Sequence, residues 1–101
     1  MSAHVVFIGE QILATGFALS GAQVMSPAPR EDEVWNALEL ACESADLVLI
    51  TEPCAQLLGS RLVRHLQRQP IPPVLRIPEA EGQTAPVRET LKFARASLGL
   101  S

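Results

Sequence analysis

Few residues of this chain are of types that do chemistry. The most suggestive are Glu10 and Glu52, because each directly follows an apolar run, VVFIG and LVLIT. Two carboxylates with the Thr51 hydroxyl would offer Mg²⁺ the hard oxygen ligands it prefers. His4 opens the first of those runs and His65 lies in a basic stretch; their separation nominates no shared site, so both read as surface histidines. Cys42 and Cys54 form no CxxC and have no His at ligand spacing, which favours buried reduced thiols over a disulfide or a metal site. Ser44, Ser60 and Thr51 lack a His at a pairing distance in sequence. Gly9 stands alone in GEQILATG, without a GxGxxG, and Walker and GxSxG motifs are absent. The sequence therefore nominates no catalytic residue, no cofactor-binding residue and no metal ligand set, and an enzyme reading would rest on analogy of fold alone.

Surface chemistry is better represented. Arg61, Arg64 and Arg68 recur at three- and four-residue spacing, and Arg88, Lys92 and Arg95 repeat the pattern, so each set lines one face of a helix. Trp35 falls off the apolar stripe of its own helix. Exposed, it would be a contact anchor; a helix wide enough to bury it is the equal alternative. These seven residues are the expected partner-binding set.

The charge distribution points the same way. Residues 1–60 carry eight of the eleven acidic side chains and only one base, Arg30, whereas seven bases lie in 61–101. The split implies a dipolar surface, and the net charge of −3 argues against nucleic acid as the main partner, though a local basic stripe could still dock on an acidic protein. With 101 residues, 48% apolar, the chain has room for one core, built from Leu, Val, Ile and Ala because it has no Tyr and one Trp. No apolar run approaches the roughly 20 residues needed to span a bilayer, and MSAHVVFIGE lacks a basic region ahead of an apolar one. A cytoplasmic protein without membrane insertion is expected.

The elements that must position these residues follow from periodicity. Val5–Ile8 is apolar without alternation, as in a strand covered on both faces. After Gly9 the pattern becomes helical, with Ile12, Leu13, Gly16, Phe17 and Leu19 or Ser20 on one stripe, closed by Gly21 as a left-handed C-terminal residue. Gly16, mid-helix at a cost of about 1 kcal/mol against Ala, suggests close backbone approach. Ala22–Met25 is a brief second strand before the turn-rich SPAPR. The second helix has Val34, Leu38, Ala41 and Ala45 inward and carboxylates in its first turn. DLVLIT is the central strand. Pro53 opens a third helix carrying Leu58, Leu62 and Leu66 inward, and prolines bracketing Val74–Ile77 mark a fourth strand at a sheet edge. A polar loop then leads to an amphipathic C-terminal helix with Val87, Leu91, Ala94 and Leu98 inward.

Strand and helix thus alternate four times, which predicts an α/β protein with a four-stranded parallel sheet and helices on both faces. Residues 1–78 form the sheet domain and 79–101 the loop and terminal helix. A ligand crevice would lie beyond the ends of the first and third strands, where Gly9, Glu10, Thr51 and Glu52 fall. Phosphoacceptor receiver domains share this layout, but they need an aspartate where Thr51 stands and a lysine after a later strand, and the only lysine is Lys92.

Taken together, four motifs in order resemble the F subunit of V-type and A-type rotary ATPases. VVFIG followed by GFALSG resembles its Gly-Phe-x-Leu-x-Gly pattern at Gly16, Phe17, Leu19 and Gly21. LVLITEPCAQLL resembles its apolar strand ending in a Thr-Glu or Asp-Glu step, here Thr51 and Glu52. PPVLRIP resembles its Pro-x-Val-x-x-Ile-Pro segment, and Gly82 with VRETLKFARASLGL its closing helix, ending at Leu98 and Gly99. The second strand departs from the family in being brief and proline-flanked, and the loop EAEGQTAP is shorter than the family's stretch before the last helix. The resemblance implies a Rossmann- or flavodoxin-like sheet of order 2-1-3-4 and a non-catalytic, cofactor-free subunit of the central rotor stalk. It implies binding to the coiled-coil D subunit and other stalk subunits, peripheral to the membrane, with the C-terminal helix reaching towards the catalytic head. A stand-alone flavodoxin-like or receiver-like regulatory module is the alternative, and a small enzyme using the strand-end crevice the third.

Overall fold

The computed structural model describes residues 3–78; the expected C-terminal helix, with Arg88, Lys92 and Arg95, lies outside the described residues. The elements run β1 (Val5–Ile8), α1 (Gln11–Leu19), β2 (Gln23–Met25), α2 (Glu31–Ser44), β3 (Leu47–Thr51), α3 (Glu52–Leu58), α4 (Ser60–Arg68) and β4 (Val74–Ile77). The strands form one parallel sheet in the order β2-β1-β3-β4. β1 and β3 are central, in a register that places Val5 against Leu47 and Ile8 against Ile50. The backbone amides of His4 and Asp46 fix where that pairing starts: His4 N donates to the Asp46 carboxylate at 2.7 Å and Asp46 N to the His4 carbonyl at 2.7 Å.

Both central strands are continuously apolar because each face of the sheet packs on helix. Val6, Ile8, Val48, Ile50 and Val74 meet Val34, Leu38 and Ala41 of α2, Ala55 and Leu58 of α3 and Leu62 of α4. Phe7, Leu47, Leu49 and Ile77, alternate residues in the same strands, meet Phe17 of α1, where the Phe7 and Phe17 rings stack at 4.3 Å and 13°. The apolar stripe of α1 ends at Phe17, since Leu19 is 86% exposed and Ser20 turns its hydroxyl back to the Gly16 carbonyl. The helix closes as expected: Gly21, at φ 94°, donates to Ala18 O, and Ala22 donates to Phe17 O, pairing two carbonyls the helix itself leaves free.

One expected helix is two. The pattern opened by Pro53 breaks at Gly59, with φ 55° and ψ −131°, a conformation that L side chains rarely adopt. The break re-aims the chain so that Leu58 and Leu62 on either side of it are both buried in the same core, while Leu66 is only partly so. β4 takes the sheet edge beside β3, with Pro72, Pro73 and Pro78 around it, where missing amide donors cost no ladder bond.

Candidate functional site

The strand-end crevice is occupied by the protein's own side chains. Gly9 N donates to Met25 O at 3.1 Å, drawing the turn after β1 onto the end of β2. The Glu10 carboxylate accepts from the Thr51 hydroxyl at 3.2 Å and from the Cys54 thiol at 3.9 Å. Burial, reinforced by the nearby Glu10 charge, pushes the Cys54 thiol above its ordinary value, so it stays protonated as a donor. Glu52 faces away into a bidentate pair with Arg76, at 2.8 and 2.9 Å, which ties the start of α3 to the edge strand. The two carboxylates that suggested Mg²⁺ thus serve separate partners, and among the described residues no group of three or more His, Cys, Asp or Glu converges on a metal site.

Four of the seven residues nominated for partner binding, Trp35, Arg61, Arg64 and Arg68, lie along a groove of about 620 Å³ between α2 and α4; Arg88, Lys92 and Arg95 fall outside the described residues. Trp35, Glu39, Cys42 and Glu43 line one wall and Arg61, Arg64, His65 and Arg68 the other. Helical geometry accounts for both walls. On α2 the four residues fall at i, i+4, i+7 and i+8, a shoulder beside the buried stripe of Val34, Leu38 and Ala41; on α4 they fall at i, i+3, i+4 and i+7. Trp35 is neither free anchor nor core residue. It is half-buried, with the Arg61 guanidinium 4.0 Å above its ring in a cation–π contact and the His65 ring edge-on at 5.6 Å. Arg61 also reaches Glu31 at 3.7 Å.

At the floor, Cys42 Sγ lies 3.7 Å from His65 Nε2. Burial, with a smaller push from the Glu39 carboxylate, raises the Cys42 thiol, so this pair holds a neutral thiol against imidazole rather than the thiolate a nucleophile needs. Sequence reasoning nominated Trp35, Arg61, Arg64 and Arg68 and set His65 aside as a surface residue; it did not single out Glu39 or Glu43, and it read Cys42 as a buried thiol with no part in a surface. A helical projection of α2 carries the missing signal, since these three share the Trp35 shoulder.

The family model described as ATP synthase (F/14-kDa) subunit matches residues 5–93, from β1 through the groove and beyond the described residues. No curated protein matches the chain. No described helix is long and apolar enough to cross a membrane.

Proposed function

The chain belongs to the ATP synthase (F/14-kDa) subunit family, the F subunits of V-type and A-type ATPases, and on that premise we propose that it is a non-catalytic central-stalk subunit of such a complex. In this role it binds the coiled-coil D subunit of the rotor, sits on the cytoplasmic side peripheral to the membrane, and helps couple ATP turnover to rotation and ion transport. The observation that carries the reading is the family match across residues 5–93, which takes in the sheet, both groove helices and most of the C-terminal segment. Two features support it. The crevice carboxylates of this fold are engaged by Thr51, Cys54 and Arg76 instead of standing ready for a ligand. Trp35, Arg61, Arg64 and Arg68 gather at one surface, suited to steering an acidic partner into register. The segment 79–101, with Arg88, Lys92 and Arg95, is the part assigned to reach other stalk subunits and the catalytic head.

Co-expression with the D-type coiled-coil subunit from the same source, followed by size-exclusion chromatography with light scattering, tests the reading. A one-to-one complex that weakens with added salt is expected. Elution of the free chain as a monomer at every ionic strength would favour a stand-alone regulatory module of this fold instead.

A further inference from the structure

We infer that the groove between α2 and α4 seats a single partner helix in one polarity. The partner's acidic side chains lie over Arg64 and Arg68, its basic side chains over Glu39 and Glu43, and an apolar side chain rests on Trp35 and Cys42. The inference rests on the rotor reading for the identity of the partner, a coiled coil, and goes beyond it in naming the face and the charge order.

Three observations carry it. First, the walls have opposite sign along their length: the acids of α2 face the arginines of α4 across the groove. At one end the charges meet directly, Arg61 with Glu31 at 3.7 Å. Among the described residues, Glu39, Glu43, Arg64 and Arg68 make no ion pair, and all four are exposed. Opposed rows left open in this way ask for something between them that carries both signs. Second, each wall repeats at helical spacing over seven or eight residues, a length of about 11 Å. Two helices presenting such rows side by side form the ridges into which a third helix packs. The lining argues against a small apolar ligand, because such pockets are mostly hydrophobic with few polar groups, whereas six of the nine residues lining this groove are charged or histidine, a count that excludes Gln69. Third, Trp35 and Cys42, both half-buried, each lie against His65, the Trp35 ring at 5.6 Å and the Cys42 Sγ at 3.7 Å from Nε2, so that a partly apolar strip stands within the charged rim, the kind of central anchor that a helix needs.

The test uses the full chain with the D-type coiled-coil subunit as probe, in two arms. Charge reversals E39K/E43K and R64E/R68E each invert one wall at exposed positions; their folding is checked by circular dichroism and melting temperature. Each is expected to weaken the complex by about tenfold or more at low salt, and the combined reversal not to restore it, because the partner's own rows are unchanged. In the second arm, alkylation of Cys42 by N-ethylmaleimide is followed by mass spectrometry, with Cys54, 6% exposed, as the slow internal reference. Docking is expected to slow Cys42 modification several-fold and to shift the emission of Trp35, the only tryptophan. If the wild-type complex forms, yet both reversed variants bind as well as wild type and Cys42 is alkylated at an unchanged rate, the groove assignment is overturned and the rotor reading stands. A wild-type chain that forms no complex overturns both. A free chain that elutes as a dimer dissolved by either reversal shows that a second copy, not a coiled coil, fills the groove, and overturns the inference as stated.

Discussion

Replacing Gly9 by alanine tests how tightly the strand-end turn is built. Gly9 is not one of the residues with positive φ, so its need for glycine is one of space. A Cβ there would lie 2.4 Å from Thr51 Cγ2 and 2.6 Å from Phe7 Cζ, about 1 Å inside even the short end of the 3.5–4.0 Å of an ordinary carbon contact. Neither neighbour has somewhere to go. Thr51 is 1% and Phe7 0% exposed; the Phe7 ring is backed by Phe17 at 4.3 Å, and rotating Thr51 would pull its hydroxyl from Glu10. Overpacking of this kind costs about 3 kcal/mol, the upper end of its usual range. For a chain of this size that lowers the melting temperature by roughly 12–24 °C. Thermal melting and urea titration read the loss, with an unchanged m-value showing that it is one of stability. The double variant G9A/T51S supplies the decisive arm. Serine removes the methyl that the new Cβ would strike while keeping the hydroxyl on Glu10. T51S alone should cost about 1 kcal/mol for the lost buried methyl, yet in the G9A background it should recover at least that much, a coupling that non-interacting sites do not show. A G9A melting temperature within about 3 °C of wild type, or additive effects in the double variant, would refute the steric argument.

Three further outcomes are expected. Gly21→Ala meets no neighbour within 4 Å but must hold φ 94°, so its cost of about 1–2 kcal/mol is conformational and Gly21→Asn should recover part of it in a urea titration. Arg76→Met and Glu52→Gln should each destabilise by about 0.5–1 kcal/mol, because the pair is bidentate but partly exposed; a double-variant cycle should give a coupling that shrinks in high salt. Both thiols are raised in the folded state. As the pH climbs through about 9 the unfolded chain therefore releases its thiol protons first, and stability declines with further rise instead of holding steady. With no tyrosine and one lysine in the chain, few other groups titrate there. The urea midpoint at pH 9.5 should fall below that at pH 7.5, and the slope should flatten in C42S/C54A.

What the sequence by itself determined are the features encoded within a few consecutive residues. Continuous apolar runs become the two central strands because both their faces are covered, Gly21 closes α1 because only a residue without Cβ takes its φ cheaply, and the prolines push β4 to the edge. The strand order came from the resemblance of motifs spread along the chain, since periodicity alone does not rank strands across a sheet. Two glycines fall inside helical patterns of the sequence, yet Gly16 stays within α1 whereas Gly59 breaks a helix in two. Nothing local separates them; what decides is that Leu58 and Leu62 must both reach the same face of the sheet. Tertiary structure alone also brought Arg76 to Glu52, 24 residues away, and His65 to Cys42, 23 residues away. A helix wheel tells which residues share a shoulder, but which shoulder meets which depends on how helices lie once their apolar stripes are buried. For that reason the arginines of α4 were legible as one helix face, while their meeting with Trp35, and the acids, the thiol and the histidine that complete the groove, became visible only when α2 and α4 were laid side by side.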